Sequence, residues 1–296
     1  MSNSKLLARE SLTGYIFISP MVLGFLLFVI GPVLVAFAAS FTDWKVVGDT
    51  HFVGLSNYTR AFTEDPLFWQ TFWNTLYFTV GVVPLNMALA LVLALLLQNH
   101  IRGIGIFRTA IFTPVVTSIV VWAIVWKFIF QTDNGLVNMA LKLFNITGPA
   151  WLYDMSLTMP VVIFVSVLKG VGYNMVIFLA GLNDVPKLYY EAAHIDGASK
   201  WRMLWNVTLP LITPTVFLVL ILTMISSLKV FGQIYVLTGG GPGSSTYVFV
   251  YYIYELAFHL FDLGYASAVG FVLFMMILVL TIIQWAARKR WVHYED

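Results

Sequence analysis

Residues 183–214 read NDVPKLYYEAAHIDGASKWRMLWNVTLPLITP. The stretch is polar and mixed in charge, yet it joins two apolar runs, at about 157–183 and 209–231, each long enough to cross a bilayer. It therefore reads as a folded loop between two membrane spans, and it carries its own punctuation. Asp184 can cap a helix whose first turn accepts Pro186, because the first helical N–H groups have no internal partner. Leu188, Ala192 and Ile195 then recur at helical spacing, with Glu191 and Ala193 beside them. Gly197 can adopt positive φ and is a natural corner. Ser199 can start a second short helix through Trp201, Leu204 and Trp205, and Thr208 with Pro210 reads as the cap and first turn of the next span. The loop is expected to be a helix–corner–helix unit at the membrane surface. Ala192, Ala193, Gly197 and Ala198 leave one side small enough for another protein's backbone to approach, while Trp201, Leu204 and Trp205 are expected to anchor it on the chain's own helices. An amphipathic helix resting on lipid headgroups is the other reading.

Outward from this loop the chain is membrane material. Of its 296 residues 60% are hydrophobic and 10% charged, with a mean hydropathy of +0.87. A soluble domain carries about 25% charged residues to satisfy its wet surface. A helix needs roughly 20 apolar residues to cross the hydrocarbon. Six stretches qualify, at about 13–41, 71–98, 107–130, 157–183, 209–231 and 264–287. Unpaired peptide groups cannot exist in lipid, and the short alternating segments of a barrel are missing, so the expected fold is all-α. Lys5 and Arg9 followed by Ala36-Phe37-Ala38 resemble a signal peptide, but the apolar run is about twice the usual length, so the first span reads as retained.

Orientation follows from the short loops. Lys5, Arg9, Arg102, Arg108, Lys187, Lys200, Arg202, Arg288, Lys289 and Arg290 fall on one side. Lys45, Arg60 and Lys142 fall on the other, offset by several aspartates and Glu64. By the positive-inside rule a tail at 1–12, the 99–106 turn, the 184–208 loop and a tail at 288–296 are expected in the cytoplasm. A formal charge of +2 gives no basis for nucleic-acid binding, and the absence of cysteine excludes disulfides and thiolate chemistry.

The stretch EAAHIDGASKWRMLWNVTLPLITP closely resembles the EAA motif of ABC-importer permeases: Glu191, Ala192, Ala193, Asp196, Gly197, Ala198, Leu209 and Pro210 all match. At Leu204 the family often has an aromatic residue; here Trp205 adjoins it. PMVLGFLLFVIGPVLVAFAASFTDW, FVGLSNYTRAF, WNTLYFT and LTGGGPGSSTYVFVYYIYELAF resemble carbohydrate-importer permeases, in particular the subunit type found with maltose and glycerol-phosphate uptake systems. The resemblance implies a type I importer permease with six transmembrane helices in a bacterial or archaeal inner membrane. It also implies two cytoplasmic ATP-binding subunits carrying ATP and magnesium, a second homologous permease, an extracytoplasmic solute-binding protein, a sugar substrate, and no cofactor or catalytic residue on this chain. The eight matching residues are then the ATPase-coupling site.

The sequence agrees with an outside energy source. No G-x-x-x-x-G-K-[ST] loop is present; Gly239-Gly240-Gly241-Pro242-Gly243 lacks the lysine and reads as a turn. No paired carboxylates in the spans suggest ion coupling, and no metal or nucleophile constellation suggests an enzyme. An ion-coupled carrier and a permease for a non-sugar solute are the alternatives. Candidates for the substrate path are Ser166, Lys169, Gly170, Tyr173 and Asn174 on the fourth span and Thr223, Ser226 and Ser227 on the fifth, where Lys229 and Gln233 follow. The resemblance implies sugar-lining roles for Ser166, Gly170, Tyr173, Thr223, Ser226 and Ser227. A mid-span lysine must face protein or a wet cavity. Lys169 accordingly either contacts a polar or anionic substrate or bonds carbonyls or a carboxylate. Lys127 and Lys229 are expected to snorkel near the outer interface.

Overall fold

The computed structural model describes residues 3–98 and 103–292, with side chains from residue 14 onward. Arg102 with the rest of 99–102, residues 1–2 and residues 293–296 thus lie outside the described residues, and of Lys5 and Arg9 only the backbone is described. The chain divides into two compact units.

The first unit comprises the residues up to Glu64 and Ile253–Val272. Helix α1 (Asn3–Phe25) continues through a π turn into α2 (Gly31–Ala39), giving an apolar span over Gly14–Ala39 whose side chains mostly face outward. Past it, Asn57 in the short α3 (Ser56–Thr59) donates from Nδ2 to the carbonyls of Ser40 and Thr42 at 2.9 and 2.8 Å. Arg60 pairs with Asp262 at 2.8 Å and lies over the Tyr265 ring, 4.0 Å from its centroid. Gly264 N–H donates to the Trp44 carbonyl at 2.8 Å, an approach that a Cβ at Gly264 would block against Thr42 and Trp44.

The second unit covers Asp65–Tyr252 and the residues from Leu273 onward. Asp65 accepts from the Leu67 N–H at 2.9 Å and receives the Tyr252 hydroxyl, while Pro66 supplies the first turn of α4 (Pro66–Leu97). Arg108 donates to the Leu97 carbonyl at 2.5 Å and so satisfies the other end of α4. The third apolar stretch is not one straight helix. It is α5 (Ile104–Val116) and α6 (Ile119–Ile129), bent by 101°. Next come the short α7 (Leu136–Leu143) and the long α8 (Thr158–Asp184), which lies against α4 and α5. Small residues set the closeness of this packing: Ala90 and Ala94 are fully buried, and a Cβ on Gly172 would strike the backbone of Ile111 and Phe112.

The 184–208 segment forms α9 (Lys187–Ile195), α10 (Lys200–Met203) and a π turn over Leu204–Thr208, and α11 (Leu209–Leu211) follows it. The fifth span is also bent. The helical stretch from Lys200 to Leu211 meets α12 (Thr213–Leu228) at 66°; the turn is at Ile212, and Pro214 has no N–H for the Pro210 carbonyl, which accepts the Thr213 hydroxyl instead at 2.7 Å. The expected cap and first turn at Thr208 and Pro210 therefore lie before the bend, and the straight helix starts at Thr213 and ends at Leu228, short of 231. The chain continues through α13 (Gly232–Leu237), a turn containing Gly239, Gly240 and Gly243 at positive φ, and α14 (Phe249–Tyr254). That turn is held by Thr238 and Thr246, whose hydroxyls are 2.8 Å apart, and by Tyr251 donating to the Gly239 carbonyl at 2.8 Å. The last long helix is α15 (Leu263–Ala287). Among the described residues, four helices are long and apolar enough to span a membrane, and up to six if each bent pair counts as one.

Candidate functional site

All eight substrate-path candidates line one cleft of about 360 Å³ in the second unit, between α4, α8 and α12. Its polar side chains are mutually tied. Asn174 Nδ2 donates to Asn86 Oδ1 at 2.6 Å and lies 2.8 Å from Thr223 Oγ1. Asn86 Nδ2 in turn donates to the Val167 carbonyl at 3.0 Å. One buried amide pair thus links three helices. A Cβ on Gly170 would sit 3.0 Å from Asn86 Nδ2, so glycine there keeps room for the amide. Ser166 turns its hydroxyl back to the Val162 carbonyl at 2.7 Å, and Ser227 Oγ lies 2.9 Å from the Met224 carbonyl and 3.3 Å from Thr79 Oγ1. These hydroxyls keep lone pairs for accepting. Tyr173 and Ser226 are exposed in the cleft, the ring offering a flat apolar face.

Lys169 is engaged with the chain itself. Its Nζ donates to the carbonyls of Pro114, Val115 (3.2 Å) and Thr117 (2.6 Å), at the break between α5 and α6. Lys127, expected to snorkel, donates to the Val236 carbonyl at 3.2 Å. Asn86, Phe78 and Val82 were absent from the sequence-derived set, yet they line the cleft. Asn86 had a signal: it is an amide inside an apolar membrane-length run, where polar residues face the protein interior.

In the loop, the corner is a Schellman closure. Gly197 has φ +70°; Ala198 N–H donates to the Ala193 carbonyl at 2.9 Å and Gly197 N–H to that of His194 at 3.1 Å. Nothing lies within 4 Å of a Cβ built on Gly197. Its own chain thus leaves the space above it open. Ser199 Oγ accepts from the Arg202 N–H at 3.3 Å, capping α10. Asp184 does not cap α9. It is the last residue of α8, and Pro186 precedes α9 with no side-chain cap. Nor do the two tryptophans anchor the unit on its own helices. Trp201 and Trp205 are 68% and 56% exposed and pack edge-to-face on each other at 5.9 Å. Leu188 and Ile195 are exposed too. The attachment runs through half-buried Tyr190, whose hydroxyl is 3.2 Å from Thr208 Oγ1, and through Leu209, which packs with Tyr190 against the core of α4, α8 and α12. Glu191 and Asp196 are exposed.

A family profile described as "Binding-protein-dependent transport system inner membrane component" matches residues 86–292, most of the chain, including the whole 184–208 loop and the cleft apart from Phe78 and Val82. The chain belongs to that family. The permease is 34% identical to the probable ABC transporter permease protein YesP of Bacillus subtilis, over all of this chain and 96% of that one. It is also 34% identical to the lactose transport system permease protein LacF of Rhizobium radiobacter, over 98% of each. The third relative is the trehalose/maltose transport system permease protein MalF of Thermococcus litoralis, at 34% over 95% of each. Its fold matches a chain of a bacterial ABC transporter that imports the acidic polysaccharide alginate, with a TM-score of 0.85 at 24% identity over 97% of this chain and 98% of that one. The permease is thus a multi-pass inner membrane protein of an ABC transporter, a transport component and not an enzyme.

Proposed function

We propose that the permease forms half of the translocation path for a sugar or sugar-like solute and is driven by a separate ATPase through its 184–208 loop. The observation that carries this reading is the single cleft holding Ser166, Tyr173, Asn174, Thr223, Ser226 and Ser227. Hydroxyls and an amide suit sugar hydroxyls, and a tyrosine ring suits a sugar face. Relatives named for lactose, arabinooligosaccharides and trehalose/maltose support a carbohydrate solute. The cleft is lined by α8 and α12, the helices on either side of the loop, so movement of the loop is transmitted to the cleft.

In this reading α9, the Gly197 corner and α10 sit in a surface cleft of an ATP-binding subunit, in the cytoplasm with both termini. Glu191 supplies a charge-assisted hydrogen bond worth roughly 1.5–3 kcal/mol. Gly197 admits a backbone, and the exposed Leu188, Ile195, Trp201 and Trp205 supply apolar contact. Two ATP-binding subunits carrying ATP and magnesium, a second homologous permease and an extracytoplasmic solute-binding protein complete the assembly; the family's binding-protein dependence and a structural relative in complex with its periplasmic protein support the last of these. The test is a Gly197→Asp variant reconstituted with its partners in vesicles. ATP hydrolysis without solute uptake is expected; uptake at the wild-type rate overturns the coupling role. Purification of the chain from native membranes in mild detergent should bring an ATPase, a second permease and a binding protein with it.

A further inference from the structure

Two lysines line the cleft, Lys169 and Lys229, and among the described residues no aspartate or glutamate does. Their ammonium groups are in different situations. An ammonium has three N–H donors, and Lys169 directs its own at the carbonyls of Pro114, Val115 and Thr117. It adds positive charge to the cleft but has no donor left for a solute. Lys229 stands at the C-terminal end of α12 and is exposed; its backbone N–H donates to the Ser227 carbonyl, while among the described residues its ammonium makes no hydrogen bond or ion pair. In the lining it lies between Ser226 and Ser227 on one side and Val230, Phe231 and Gln233 on the other. Ionisable groups in membrane proteins mark solute paths.

We propose that the cleft takes a saccharide bearing an anionic group, and that Lys229 is the side chain that meets the anion. This rests on the carbohydrate reading above and narrows it. Lys169 supplies background field, Tyr173 and the hydroxyls hold the sugar body, and the open ammonium of Lys229 selects for charge. A cation at a helix C-terminus also complements the helix dipole. That role is indifferent to the charge of the solute, which is what the experiment separates.

The experiment is equilibrium binding to the purified, nucleotide-free importer without its binding protein, using two matched pairs of probes: digalacturonate with its carboxyl-reduced counterpart, and glucose 6-phosphate with glucose. Binding of the charged member about tenfold or more tighter in either pair is expected, and the pair that shows it identifies carboxylate or phosphate. Lys229→Gln should bring that ratio close to one, and Lys229→Arg should retain most of it. Equal or tighter binding of the neutral members, or a ratio untouched by Lys229→Gln, overturns the anion proposal and leaves the carbohydrate reading standing. Failure of all four probes to bind removes the carbohydrate reading at this cleft and the proposal with it.

Discussion

At Thr117 and Ser118 the backbone turns extended, with ψ 138° and 139°, so the last carbonyls of α5 lose their helical partners. Lys169 satisfies three carbonyls at that break. Its side chain therefore fixes the path of a neighbouring segment, and this is the second of the two roles its sequence position allowed. Lys169→Met should destabilise the permease by ~1–3 kcal/mol, read as a lower thermal-unfolding midpoint in detergent. Lys169→Arg, which keeps the donors, should lose less. An unchanged midpoint for the methionine variant would mean that the carbonyls hold the bend unaided. Asn86 is the second residue on which several others depend. Asn86→Ala leaves Asn174 short of a partner and should cost about 1–3 kcal/mol. Asn86→Asp keeps the shape but adds a carboxylate to the cleft, and should weaken binding of any anionic solute more than that of a neutral one.

The 184–208 loop is legible as an element because its corner chemistry is local. Glycine at φ +70° is required by the backbone, since an L side chain in the left-handed region costs roughly 1–2 kcal/mol. Gly197→Ala should therefore speed hydrogen exchange across α9 and α10 even with no partner present, and Gly197→Asn should do so less. The tryptophan pair separates folding from coupling. Both rings are exposed, so Trp201→Ala and Trp205→Ala should leave stability within about 0.5 kcal/mol while reducing solute uptake per ATP hydrolysed. A fall in the melting midpoint with normal uptake would assign them to the fold. In the first unit, the His51 backbone N–H donates to Asp43 at 2.5 Å and holds that carboxyl below its ordinary 3.8. A depressed carboxyl stabilises its turn above the ordinary value and releases it as pH falls through the lowered one. Exchange protection at His51 should hold at neutral pH and disappear only in that acid range.

At the scale of the whole molecule, the permease has too few charges to cover itself with water-facing surface, and many of its apolar side chains are exposed, as suits a multi-pass membrane protein. The natural absence of cysteine makes its topology directly measurable. Ser199→Cys should react with an impermeant thiol reagent only from the cytoplasmic side, and Ser156→Cys only from the outside. Labelling of both from one side would overturn the orientation derived from the lysines and arginines.

Much of this was determined by sequence alone. The all-helical class follows from apolar length, because peptide groups in lipid must pair within their own segment. The Gly197 corner and the Ser199 cap follow from neighbours a few residues apart. The residues proposed for the substrate path were legible as positions inside apolar runs, and they line one cleft. Tertiary structure decided what depends on distant partners. The Thr117–Ser118 break has its carbonyls met by a lysine some fifty residues later in the chain. The straight fifth helix starts at Thr213 because the chain bends before Pro214, a site where sequence permits either a kink or a continued helix. Asn86 joins the cleft only because α4 lies against α8. Whether Trp201 and Trp205 face inward or outward depends on the rotation of a short helix about its axis. Local spacing does not set that rotation; the seating of Tyr190 and Leu209 against the neighbouring spans does.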